Sequence, residues 1–257
     1  MKYPATLFSI AGISNYPVSS TQESQVIERF NLGTLTAVVE RSDTKNTFPL
    51  LLSNAHTLSA TGKDLYTIPP SDQTQFLHFT HQALQRIGAI TDISYLGNFP
   101  YTYPNNWEQS YYVDAQLSQA TVTQEALARM NLLHQPQQKV QTLENLSAYD
   151  LPKGSNYYVH KVGYTTGYTV GKVIETHTSV FLKSATVCAN VILIQGWNPS
   201  TKRKHIFAQR GDSGALIYNH KKNVIGQLWG ISTTDPTLAY ASHIRPVLAA
   251  VEARLIY

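Results

Sequence analysis

Two glycines bracket an acid and a serine at Gly211-Asp212-Ser213-Gly214, between Ile206-Phe207-Ala208 and the apolar run Ala215-Leu216-Ile217. This loop constrains the fold more than any other stretch. Glycines there allow torsions and close approaches that a Cβ would block, so the chain can turn sharply before a strand and leave a serine hydroxyl at the turn. The amides of Gly211 and Ser213 can then converge beside that hydroxyl and form a backbone concavity suited to an anion. The same four residues also make an ordinary turn, so a base and an orienting acid must be sought elsewhere.

Composition narrows the classes. A chain of 257 residues can bury a core without staples. Its one cysteine, Cys188, excludes an intrachain disulfide, which makes a reducing, cytoplasmic compartment the expectation. The net charge is only +4, and charged residues make up 14% against a usual ~25%, so no nucleic-acid partner is expected. The segment Met1 to Ala11 is interrupted by Pro4 and Ser9 and lacks a small-x-small cleavage site, so it reads as mature sequence. No run approaches the ~20 apolar residues of a membrane span, and no membrane partner is expected.

Along the chain, Ser20-x-x-Glu23 can form a capping box, with Val26, Ile27 and Phe30 on one side of a helix ending near Gly33. Runs 34–40 and 47–54 read as a hairpin around polar 41–46, and it delivers His56 at its end. Residues 60–82 read as a surface excursion, where no Cys or acidic cluster completes a metal site around His78 and His81. Strands follow at 87–96 and at Tyr111 to Leu117, the second holding Asp114. Asp92 competes as the orienting acid, but it sits in an alternating pattern that points a carboxylate to solvent, so Asp114 is preferred. A helix over 121–133, with Ala126, Leu127 and Met130 on one face, leads into a Gln-rich linker at 134–141.

From Asn156 a second set of strands begins, with 157–163 and 171–175 bracketing a Thr/Gly hairpin at 164–169. Val187 to Gln195 is an apolar strand holding Cys188 as a buried thiol, and Lys202 to His205 reads as a solvated hairpin tip. Strands 215–218 and 224–231 flank a turn at 219–223. His243 to Tyr257, with Val247, Leu248, Val251 and Leu255 at helical spacing, reads as an amphipathic terminal helix.

Taken together, Gly-Asp-Ser-Gly at 211–214, Leu51-Leu52-Ser53-Asn54-Ala55-His56 and Val113-Asp114-Ala115 resemble the motifs of the chymotrypsin-like serine peptidases over roughly residues 32–250. The order His, Asp, Ser is also that of chymotrypsin, with spacings of 58 and 99 residues, and the hairpin at 164–169 resembles that of cysteine-free bacterial and plant members. The resemblance implies an all-β fold of two six-stranded antiparallel barrels with a C-terminal helix, in a single peptidase domain over 1–257. Its parts would be an N-terminal barrel (20–120), a helix and linker (121–155), a C-terminal barrel (156–242) and the terminal helix (243–257).

The function it implies is that of a serine endopeptidase acting on protein or peptide substrates, without metal or organic cofactor. Ser213 would be the nucleophile, His56 the general base and Asp114 its orienting acid, with the amides of Gly211 and Ser213 as oxyanion hole. Leu228-Trp229-Gly230 would be the edge along which substrate lies. Phe207, six residues before the serine, would floor the primary pocket, so small or medium apolar residues are expected before the scissile bond and cations are excluded. No Ile/Val-Val-Gly-Gly precedes Gly33, so Asp212 is expected to be held by local donors and the chain to be competent as synthesised. Two other readings stay open: a catalytically inactive binding module of the same fold, and an esterase or acyltransferase using the same triad. The oligomeric state is not legible.

Overall fold

Short runs of Leu, Val and Thr between polar turns pair here as antiparallel ladders. In the computed structural model, the described residues are 13–14, 33–41, 49–58, 64–67, 85–104, 107–121, 123, 157–182 and 186–256. The first half contributes β1 (Ile13–Ser14), β2 (Ala37–Arg41), β3 (Leu50–Ser53), the short helix α1 (Ala55–Leu58), β4 (Asp64–Thr67), β5 (Gln85–Tyr101) and β6 (Gln109–Ala120). The run Leu50-Leu51-Leu52-Ser53 is buried throughout, as an inner strand must be, and it pairs with β2 on one side and β6 on the other. In β5 the residues from Thr91 to Pro100 alternate between half-buried and exposed, and Asp92 falls on the exposed side, so the rival acid faces solvent.

The second half contributes β7 (Tyr158–Gly163), β8 (Gly167–Phe181), β9 (Val187–Asn198), β10 (Arg203–Lys204), β11 (Leu216–Asn219), β12 (Val224–Ile231), β13 (Leu238–His243), helix α2 (Ile244–Ala250) and β14 (Ala253–Leu255). Six of these strands run β9-β13-β12-β11-β7-β8, and a β8–β9 pairing closes them into a barrel. The first sheet has seven strands in the order β1-β4-β5-β6-β3-β2-β14. The fold is a chymotrypsin-like double barrel, mostly β.

Strand periodicity divides the core. Leu216 and Tyr218 of β11 point to a cluster with Val39, Leu52, Val113, Leu117 and the α2 residues Val247 and Leu248. Their neighbours Ala215 and Ile217 point the other way, into the closed barrel with Val159, Ile192, Ile194 and Ile225. β11 therefore serves both cores. Cys188 is fully buried, as expected, and burial pushes its thiol up to about 11, so it stays protonated and inert at neutral pH.

The terminal segment departs from the helix expected over 243–257. α2 ends at Ala250, where the Val251 amide turns back to Ala249 O and Glu252 takes a left-handed φ of 52°. Ala253 to Leu255 then leave as a strand against β2, with Leu255 opposite Val39, and Arg254 Nε donates to Glu40 Oε1 at 2.8 Å. Residues 20–32 and 124–133 of the two helices read there, the linker at 134–141 and the His78/His81 pair lie outside the described residues. Asp64 to Thr67, inside the expected excursion, form β4.

Candidate active site

β3 ends at Ser53, and the chain turns at once into α1, which presents His56 with its side chain 42% exposed. Asp114, from the buried stretch of β6, is 1% exposed, and its carboxylate Oδ2 contacts His56 Nδ1. The His56 backbone N–H donates to the other oxygen, Asp114 Oδ1, at 3.0 Å, and Asn54 Nδ2 donates to the Asp114 carbonyl at 2.8 Å. One carboxylate thus fixes both the ring and the backbone of the histidine. With Nδ1 committed to Asp114, Nε2 is the nitrogen left to handle a proton.

The serine loop is tied to this half by Thr34. Its amide donates to Ser213 O (2.6 Å), its hydroxyl donates to Gly211 O (2.9 Å) and accepts from Tyr164 N (3.0 Å), and its carbonyl accepts from Ser53 Oγ (2.9 Å). Ser53 stands three residues before His56, so Thr34 is a one-residue bridge between the strand leading to the histidine and the loop carrying the serine. No Ser213–His56 hydrogen bond is present among the described residues, a common state of such pairs before substrate binds. Nothing local marks Thr34 in the sequence, since its partners Gly211 and Ser213 lie in the distant serine loop.

Gly214 has φ +98°, and a Cβ on it would overlap the Thr34 carbonyl. We expect Gly214→Ala to lower stability by at least about 1–3 kcal/mol from the torsion alone. A thermal midpoint equal to that of the parent would contradict this tight joint.

Around Ser213 the backbone amides divide into two groups. Asp212 N donates to Gln209 O, Gly214 N to Leu228 O and Ala215 N to Asp212 O. The amides of Gly211 and Ser213 donate to no acceptor among the described residues. These are the two expected to face an oxyanion.

Asp212 turns away from the serine into the barrel, where it is fully buried. Its Oδ1 accepts from Thr165 N (2.8 Å) and Thr166 N (3.1 Å), and its Oδ2 from Thr166 Oγ1 (2.7 Å) and Gln209 N (2.9 Å). Lys161 Nζ, also 0% exposed, stands 3.4 Å from Oδ2 and donates to Thr166 Oγ1 (2.5 Å) and Gly167 O (3.1 Å). The expectation that local donors hold Asp212 is met, and a buried lysine supplies a counter-charge that sequence reasoning did not name. A signal existed: strand alternation puts Lys161 on the same inward face as Val159, where an ammonium requires an anion. Burial pulls Lys161 down to about 8, against the opposing pull of Asp212.

Beside Ser213 an open recess of about 150 Å³ is lined by Gln209, Arg210, Leu228, Trp229, Gly230 and Ile231. Leu228, Trp229 and Gly230, read as the substrate edge, are among these lining residues. Trp229 is held between Tyr112 (4.7 Å, tilted) and Tyr240 (5.6 Å, stacked). Phe207 does not floor this recess, which corrects the sequence reading. Its ring is fully buried in the barrel core with Val159 and Ile194, in space left by Gly171, and its carbonyl accepts from Thr169 Oγ1 at 2.7 Å. An aromatic side chain is stabilised more by that apolar interior than by a solvent-open wall. The apolar cleavage preference inferred from Phe207 loses its basis.

No family model and no curated protein matches the sequence. Solved structures do match its fold. Thermobifida fusca protease A superposes with a TM-score of 0.52 at 13% identity, covering 96% of this chain and 97% of that one. A glutamic acid-specific serine protease, described as using a histidine triad in substrate binding, gives 0.51 at 13% identity over 88% of this chain and 94% of its own. Nocardiopsis protease gives 0.50 at 13% identity, with 88% and 93% covered. At such identity the likeness shows the fold.

Proposed function

We propose that this chain is a serine endopeptidase in which Ser213, His56 and Asp114 act as nucleophile, general base and orienting acid. The observation that carries this reading is the His56–Asp114 pair: a buried carboxylate binding the ring Nδ1 and the backbone amide of a half-exposed histidine. The serine proteases that share the fold support the reading.

Ser213 Oγ attacks the scissile carbonyl carbon while His56 Nε2 takes its proton, and Asp114 stabilises the imidazolium that forms. The oxygen that gains charge sits against the amides of Gly211 and Ser213, a donor of this kind contributing about 3–4 kcal/mol. Collapse expels the amine, which leaves with the proton from His56, and water then hydrolyses the acyl ester by the same two steps. Substrate main chain lies along β12, whose pairing with β11 stops at Gln227 and leaves Trp229 to Ile231 without a strand on that side among the described residues.

Fluorophosphonate labelling mapped to Ser213 by mass spectrometry tests the site, and a peptide library tests the substrate class. A chain that takes no label would contradict the reading, and one that cleaves esters but no peptide would narrow it to an esterase.

The Lys161–Asp212 pair gives a pH expectation with a definite sign. The folded pKa of about 8 lies below the ordinary 10.5, so between these values the unfolded chain binds the proton more tightly, and this group raises stability as pH rises. Over the same window Asp212 loses its cation. Activity and stability should therefore part company above about pH 8, with kcat/KM falling while Lys161 makes no contribution to a lower Tm. Parallel pH profiles of the two quantities check this, and a kcat/KM flat from pH 8 to 10 would contradict a role for the pair in shaping the loop.

A further inference from the structure

Arg210 stands three residues before Ser213 on the wall of the recess and is solvent-exposed. Asp212, Asp114 and Asp235 are engaged elsewhere. Asp212 faces the barrel interior with Lys161, Asp114 is buried against His56, and Asp235 Oδ1 accepts from Thr237 N and Oγ1. Among the described residues no carboxylate lines the recess, and Arg210 forms no ion pair. The remaining wall is an amide, Gln209, and apolar surface from Leu228, Trp229 and Ile231. A permanent cation without a counter-charge, beside an apolar slot that opens at the nucleophile, suits a side chain with a short methylene stem and an anionic tip.

On the reading of Ser213 as nucleophile given above, we propose that the recess receives an acidic side chain and that Arg210 selects it, so that this chain cleaves after glutamate or aspartate. A guanidinium presents paired N–H groups that match both oxygens of a carboxylate, whereas a lysine or arginine in substrate would meet like charge. Because the contact forms at the edge of an open recess, its strength depends on ionic strength.

The test uses one peptide scaffold with Glu, Gln, Leu or Lys before the scissile bond. We expect kcat/KM for Glu to exceed that for its neutral isostere Gln by about tenfold at low salt, the ratio shrinking as salt is added. In Arg210→Gln the ratio should fall to near one, and in Arg210→Glu the preference should move to Lys. A parent ratio near one, or a ratio retained in Arg210→Gln, overturns the proposal. Failure of the underlying reading looks different, since there the parent takes no fluorophosphonate and cleaves none of the peptides. In that case equilibrium binding of the Glu and Gln peptides to Ser213→Ala still decides the recess: tighter binding of Glu, abolished by adding Arg210→Gln, supports it, and equal binding overturns it.

Discussion

Ser213→Ala is expected to lower kcat by about a millionfold while leaving the fold intact. The loop around Ser213 is held by its main chain, through the carbonyl bound by Thr34 N and the neighbouring amides bound by Gln209, Leu228 and Asp212, so removal of one hydroxyl leaves every one of these bonds in place. His56→Ala should cost about as much, because members of such a unit do not act independently. Asp114→Asn should fall by about four orders of magnitude through loss of the correct tautomer. It would also place an amide NH2 against the His56 main chain or ring, so its folding must be checked by circular dichroism. Efficient turnover by a folded Ser213→Ala protein would exclude the mechanism.

Lys161→Met is expected to destabilise the protein, but by less than the about 3–5 kcal/mol usual when one partner of a buried ion pair is removed, because burial already disfavours the ammonium. Asp212 would keep its four neutral donors but carry an uncompensated charge in the barrel interior. Asp212→Asn added to Lys161→Met should recover part of the loss, although the new NH2 must face a donor at Gln209 N or Thr166 Oγ1. Urea midpoints for the parent, both single variants and the double variant give the coupling energy directly. A Lys161→Met protein as stable as the parent would show that Asp212 needs no cation. The same series reports on catalysis, since Asp212 anchors the loop between the two amides proposed as oxyanion donors.

What was legible in the sequence and what was not follows from how far each residue's partners lie. His56 and Asp114 could be placed because each sits at a defined point of an apolar strand or its end, where local pattern alone restricts the side chain. The same ground turns Asp92 to solvent, and its exposure in β5 agrees. Phe207 was misplaced because residues 205–215 follow no period, so counting back from Ser213 could not say which side chains turn inward. The tertiary vacancy at Gly171 decided it. The terminal helix was overextended because Val251 and Leu255 continue a helical spacing, while the left-handed Glu252 that breaks it is set by the pairing of β14 with β2. Thr34 acts through contacts that no window of sequence contains, whereas alternation in β7 marks Lys161 as inward-facing without naming its partner Asp212.

The return of Ala253 to Leu255 to β2 makes the first sheet a discontinuous unit in time as well as in sequence. The Arg41–Glu252 and Glu40–Arg254 pairs that fasten it join residues 211 and 214 positions apart. At a synthesis rate of about 5–20 residues per second, β2 waits on the order of ten seconds or more after leaving the ribosome for its outer neighbour to be made. During that interval the Val38-Val39 edge is an open ladder able to pair with the wrong strand. The serine loop is translated before β14, so the sheet that presents His56 is completed only after Ser213 has been made. Damage to the three residues Ala253 to Leu255 would therefore leave the β2 edge open in the finished protein.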